Sequence, residues 1–287
     1  MTLMQYALTG LLAMCAAVPV FAAQPVTRHF VVRGDARLEV LAQGQGPLVV
    51  LLPSLGRGAH DFDAMVDTIV NAGFRVLRPE PRGIGQSTGP WENVNLQDLA
   101  ADIAAVIEHE KAGPAFVVGH AFGNRVSRML ATDRPDLVKA VSLIAANVGR
   151  NPSPPNVRAA IRTSADLKAS DEERVKAMQF VFFAPGSDAR VWLTGWHPEV
   201  LAGQRLAGDR TSRELDYAAG KAPVLYIQPS HDPLARVDEA DEYKHALGGR
   251  VTVVVVPNSA HAVIVEQPAA VSDALVAYAK KLWPNGR

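Results

Sequence analysis

The run Phe116-Val117-Val118-Gly119-His120-Ala121-Phe122-Gly123-Asn124-Arg125 constrains the fold more than any other part of the chain. Four apolar or β-branched residues read as a buried strand. Two glycines spaced four apart then pinch the chain, and a helical pattern follows. A strand that turns this sharply into a helix is the frame of the nucleophile elbow, G-x-S-x-G. That strained turn lifts a serine hydroxyl above the end of a sheet. Here the serine position holds Ala121. A methyl group cannot attack a carbonyl, so the usual acyl-enzyme route is excluded at this residue.

The rest of the chain alternates in the way such an elbow requires. Segments 27–32, 38–42, 47–52, 74–77, 115–118, 137–145, 223–228 and 251–256 read as strands from their β-branched and apolar content. Helical spacing covers 61–72, with Phe62, Met65, Val66, Ile69 and Val70 on one side and Gly73 at its end. It covers 96–109, with Leu96, Leu99, Ile103 and Val106 in step, and 123–132 behind the elbow. Strands alternating with helices predict an α/β fold, a mostly parallel central sheet with helices on both faces.

The alternation stops at Val148 and resumes at Ala222. Between them, helical patterns near 157–161, 171–182 and 198–206 carry Phe180, Phe182, Phe183, Trp192, Leu193 and Trp196. Most of this aromatic area is expected to pack the insertion onto the main body, with one or two side chains lining a small apolar pocket. Asn147, ending the preceding strand, is expected to point towards the insertion.

After the elbow, two strand ends carry residues of catalytic type. Asp232 follows Pro223-Val224-Leu225-Tyr226-Ile227-Gln228, and His261 follows Val251–Val256. An acid that orients an imidazole leaves that imidazole free to move protons. At this point the chain resembles the α/β-hydrolase superfamily, whose triad runs nucleophile, acid, histidine along the sequence. Leu51-Leu52-Pro53-Ser54-Leu55-Gly56-Arg57 is similar to that family's loop after the third strand, with Pro53 and Ser54 in place of its His-Gly. The resemblance implies that the backbone N–H groups of Leu55 and Phe122 form an oxyanion hole. Arg82-Gly83-Ile84-Gly85-Gln86-Ser87 is similar to the family's R-G-x-G-x-S turn, with Glu80 where an aspartate usually stands. Ala260-His261 before Glu266-Gln267-Pro268 is similar to its histidine loop. The resemblance implies the α/β-hydrolase fold with a small helical cap: core 23–148 and 222–287, cap 149–221.

Ser54 is the best candidate to replace the missing nucleophile; its bland role is a turn hydroxyl bonded to local backbone. Ser127 lies too deep in its helix, and Ser230 and Ser259 flank the acid and the histidine. His120, inside the elbow, is expected to pack beneath the turn. His60, His197 and His231 carry no pattern, and no HExxH or clustered His/Asp/Cys set suggests a metal or any other cofactor.

Met4 to Val20 is apolar and uncharged, and Val20-Phe21-Ala22 then Ala23 supplies a small-residue cleavage site. Residues 1–22 are therefore expected to be a signal peptide, placing the protein in the periplasm or outside the cell. An N-terminal membrane anchor is the alternative. The single cysteine, Cys15, lies in that run. Formal net charge is zero, so no electrostatic footprint for nucleic acid is present. The expected partner is a small molecule. The expected function is a hydrolase-like reaction on a small, mostly apolar ester or lactone, driven by His261 and Asp232 without a serine nucleophile. The alternatives are a silent ligand-binding pseudo-hydrolase and a serine hydrolase inactivated by a Ser-to-Ala exchange.

Overall fold

The computed structural model describes residues 24–148 and 153–284. The expected signal peptide and the start of the expected cap lie outside them. The chain opens with β1 (Thr27–Arg33), β2 (Ala36–Gln43) and β3 (Leu48–Leu52). It continues through α1 (Asp63–Asn71), β4 (Arg75–Pro79), α2 (Leu96–Glu110), β5 (Ala115–His120), α3 (Phe122–Asp133) and β6 (Val138–Ile144). An insertion follows: α4 (Pro155–Ala165), α5 (Asp171–Val181), α6 (Pro198–Asp209) and α7 (Arg213–Tyr217). The core resumes with β7 (Val224–Pro229), α8 (Val237–Leu247), β8 (Val251–Val256), α9 (Val263–Glu266) and α10 (Pro268–Leu282).

These strands form one eight-stranded sheet in the order β1-β2-β4-β3-β5-β6-β7-β8. β2 pairs antiparallel with both β1 and β4, and every pairing from β4 through β8 is parallel. The strand period of two explains why the central strands are apolar throughout. Val50, Leu52 and Val117 face one hydrophobic core with Leu96, Ile103 and Met129 of the helices on that side. Their neighbours Val49, Leu51, Phe116 and Val118 face a second core with Met65, Ile69, Val271 and Leu275.

Parallel strands bring their C-terminal ends to one edge of the sheet, where sites form in folds of this class. The residues after β3, β5, β6, β7 and β8 therefore meet, although they are distant in sequence. The turn after β4 is pinned there from both sides. Arg82 binds Asp102 of α2 through two hydrogen bonds of 2.7 and 3.0 Å, both residues being buried. Glu80 accepts the Ala59 N–H at 2.9 Å and so ties the end of β4 to the segment after β3. The similarity of this turn to the R-G-x-G-x-S pattern thus has a structural basis: these residues hold the strand ends in place.

The insertion packs over the same edge. Val157, Met178, Val181, Phe182, Phe183, Trp192, Trp196 and Leu201 form a third core that includes Ala262 beside His261. The Ala262 N–H donates to the Phe182 carbonyl at 2.8 Å. Gln204 of α6 accepts the Gly56 N–H at 2.7 Å, joining the insertion to the loop after β3.

Candidate active site

Ala121 sits at the tip of the β5–α3 turn with φ 48° and ψ −110°. Only close glycines permit such a turn. A Cβ on Gly119 would lie 2.4 Å from the Asn124 nitrogen, and one on Gly123 would lie 2.3 Å from the Leu52 carbonyl oxygen. The tip is also held from behind. The Ala121 N–H donates to Ile144 at 2.9 Å, and the backbone and side-chain amides of Asn124 both donate to the Ala121 carbonyl. Arg128 donates to the side-chain Oδ1 of Asn124 at 3.0 Å and pairs with Asp216 at 3.1 Å. Asn124, Arg128 and Asp216 are supports that sequence reasoning did not single out. The only signal was the polar Asn-Arg pair directly after the elbow on an otherwise buried helix.

His261 and Asp232 meet although they leave different strands. The His261 Nδ1 lies 2.9 Å from Asp232 Oδ2, and both residues are buried. The other carboxylate oxygen accepts the N–H groups of Leu234 and Ala235 at 2.8 and 3.0 Å. Two backbone donors and the imidazole fix the orientation of the acid. A carboxylate facing Nδ1 selects the tautomer with the proton on Nδ1, leaving the Nε2 lone pair available. The ring of Phe182 lies against the imidazole, centroids 5.7 Å apart.

His120 stands beneath the turn. Its Nε2 donates to the His261 carbonyl at 2.7 Å, so it positions the histidine loop rather than facing the cavity. Burial above all, with His261 and Arg57 adding to it, pushes the His120 imidazole down to about 3, so it is neutral.

Ala121 and His261 share one cavity of about 230 Å³ with Ser54, Leu55, Phe122 and Asn147. Neither the Leu55 nor the Phe122 backbone N–H is engaged by a described protein group. The other serines considered from sequence are occupied elsewhere: Ser127 donates to Gly123, Ser259 to Val256, and Ser230 pairs with His231 at the surface, while Ser153 of the insertion also lines the cavity. The Ser54 hydroxyl, in the cavity wall, has no described hydrogen-bond partner. Asn147 donates to the Leu234 carbonyl at 2.7 Å and so braces the loop that carries Asp232. Of the insertion's aromatics, Phe182 and Trp196 reach the cavity. The wall is mixed rather than apolar, because α6, α7 and α3 also turn Gln204, Arg205, Asp209, Arg213 and Arg125 towards it.

A sequence profile described as the alpha/beta hydrolase fold matches residues 47–268. The AB hydrolase superfamily protein YfhM of Bacillus subtilis is 32% identical over 124 residues, 42% of this chain and 43% of that protein. A 2-(acetamidomethylene)succinate hydrolase of Mesorhizobium japonicum is 32% identical over 127 residues, 43% of this chain and 45% of that protein. The chain thus spans less than half the length of these curated relatives. The crystal structure of a hydrolase from Pseudomonas aeruginosa superposes with a TM-score of 0.72 at 24% identity, covering 88% of this chain and 98% of that one.

Proposed function

The chain belongs to the α/β-hydrolase fold family, and on that premise we propose that it is a hydrolase in which His261 and Asp232 activate water directly. The carrying observation is the 2.9 Å contact between His261 Nδ1 and Asp232 Oδ2 in the cavity that also holds Ala121. In this reading Ala121 occupies the nucleophile position and leaves it to solvent. His261 Nε2 takes a proton as a water oxygen attacks the carbonyl carbon of a small ester or lactone. The backbone N–H groups of Leu55 and Phe122 receive the developing oxyanion. The imidazolium then returns its proton to the departing alkoxide, and Asp232 stays ionised throughout. Ser54 as a replacement nucleophile is the rival route, and it predicts loss of activity in Ser54→Ala. Segment 149–221 is the cap that shapes the cavity, and residues 1–22 direct export. That last part of the reading rests on the apolar run 4–20 and the small-residue pattern Val20-Phe21-Ala22-Ala23 that follows it.

The methyl at position 121 favours a second reading, a capped protein that captures its ligand without turnover. Ester hydrolysis separates the two. The protein should cleave a short p-nitrophenyl ester, retain that activity in Ser54→Ala and lose it in His261→Ala. Ala121→Ser should raise the rate strongly, since base and donors are in place, and His261→Ala in that background should remove on the order of 10³-fold or more. No hydrolysis by the parent protein or by Ala121→Ser would leave the capture reading standing.

A further inference from the structure

The same cavity has a charge asymmetry that the reaction described above does not use. Three guanidiniums, Arg125, Arg205 and Arg213, line it against one carboxylate, Asp209. Arg125 is committed to the fold: it donates to the carbonyls of Gly208 and Thr211 and pairs with Asp216. Asp216 also pairs with Arg128, one turn further along α3, so its charge is shared between two guanidiniums. Arg213 approaches the Asn147 side-chain oxygen at 3.5 Å and has a further partner.

Arg205 differs from both. It lies half-buried on α6, next to Gln204, which holds the loop carrying Leu55. Among the described residues its guanidinium has no hydrogen-bond or ion-pair partner. Burial lowers its pKa from the ordinary arginine range, repulsion from Arg162 adds to this, and attraction from Asp209 opposes it. A guanidinium partly withdrawn from water, with an attracting carboxylate nearby but none hydrogen-bonded to it, is poised to gain from one, because its planar fork matches a carboxylate through two parallel hydrogen bonds.

We propose that Arg205 is the anchor for a carboxylate on the ligand of this cavity, whose wall also carries Arg213, so that the cavity selects small acids over neutral molecules of the same shape. This rests on reading the cavity as the reaction site. Its volume of about 230 Å³ suits a short-chain ligand, below the roughly 300 Å³ at which drug-sized pockets begin. The reacting carbonyl would then sit at Ala121 and the carboxylate at α6.

Calorimetric titration of the protein with glutaramate and with glutaramide, which differ in one negative charge and resist hydrolysis, tests the assignment. Glutaramate should bind about tenfold more tightly, the size of a single partly exposed charged hydrogen-bond pair. Arg205→Gln should bring the two ligands to near equality, Arg205→Lys should keep part of the preference, and added salt should weaken it in the parent. Equal binding of both ligands by the parent, or an unchanged preference in Arg205→Gln, would overturn the proposal. Ester turnover is read separately. A protein that prefers glutaramate but cleaves no ester loses the hydrolase reading and keeps this one. A protein that cleaves neutral esters without preferring the acid does the reverse.

Discussion

Ala121 combines φ 48° with ψ −110°, a region that side chains with a Cβ rarely occupy. Holding a non-glycine residue there stores about 1–3 kcal/mol, and the hydrogen bonds from Asn124 and to Ile144 keep it in place. Ala121→Gly should therefore stabilise the protein by about 1 kcal/mol in urea denaturation; a loss of stability would show that no strain is stored at the tip. Gly123→Ala should do the opposite, because its Cβ would meet the backbone oxygen of Leu52 at 2.3 Å. His120 carries a pH dependence. Unfolded, its imidazole titrates near 6.5, and folded it is held down to about 3, chiefly by burial. The unfolded chain therefore takes up a proton at this site that the folded chain refuses. The stability due to His120 is complete above pH 6.5 and drains away as the pH falls towards about 3. Denaturation series from pH 8 to 4 should show a shallower decline for His120→Gln than for the parent. Parallel curves would remove this account. At this scale the sequence carried the elbow, because glycine spacing and a missing hydroxyl are local facts. It also carried Asp232 and His261 as candidates through their places at strand ends. It did not carry Asn124, Arg128, Asp216 or Arg205, whose partners come from elements far away in the chain.

At the scale of elements, strands were legible and joints were not. β3, β5 and β7 are buried along their whole length, so their apolar runs stand out in any reading of the sequence. α8 and α7 are weakly patterned and were not anticipated; α8 buries only Ala240 and Tyr243. The joint that matters for the site is between α6 and the loop after β3. Its evidence in sequence is a single glutamine, Gln204, whose partner Gly56 lies on the other side of the elbow. Gln204→Leu would remove the acceptor and leave the buried Gly56 N–H without one, at about 1–3 kcal/mol. The expected result is a matching drop in urea midpoint. For any ester the protein cleaves, KM should also change, because Leu55 sits one residue before Gly56. A variant of parental stability would mean that another acceptor takes over the amide.

For the whole molecule, the question is how firmly the insertion is tied to the sheet. The third core contains Ala262 of the histidine loop together with Trp192 and Phe182 of the insertion. Arg57, from the loop after β3, stacks over Trp192 and Trp196 at 4.7 and 4.9 Å while bound to Asp61. Trp192 therefore touches both bodies, and it is 1% exposed. The two cores that flank the sheet share no fully buried residue with this cluster; the partly buried Val265 packs against both it and the second core. Removing the Trp192 ring should thus loosen the insertion before it loosens the sheet. Trp192→Ala should lose about 3–5 kcal/mol of local packing. In hydrogen exchange, amides of α4, α5 and α6 should exchange much faster, whereas those of β3, β5 and β6 keep their protection. The order matters for function: Phe182 and Trp196 form the cavity wall next to His261, so a loosened insertion admits bulk water without disturbing the 2.9 Å contact between His261 and Asp232. If sheet and insertion amides instead accelerate together, the insertion and the sheet open as one cooperative unit, and the cavity cannot open without unfolding the site itself.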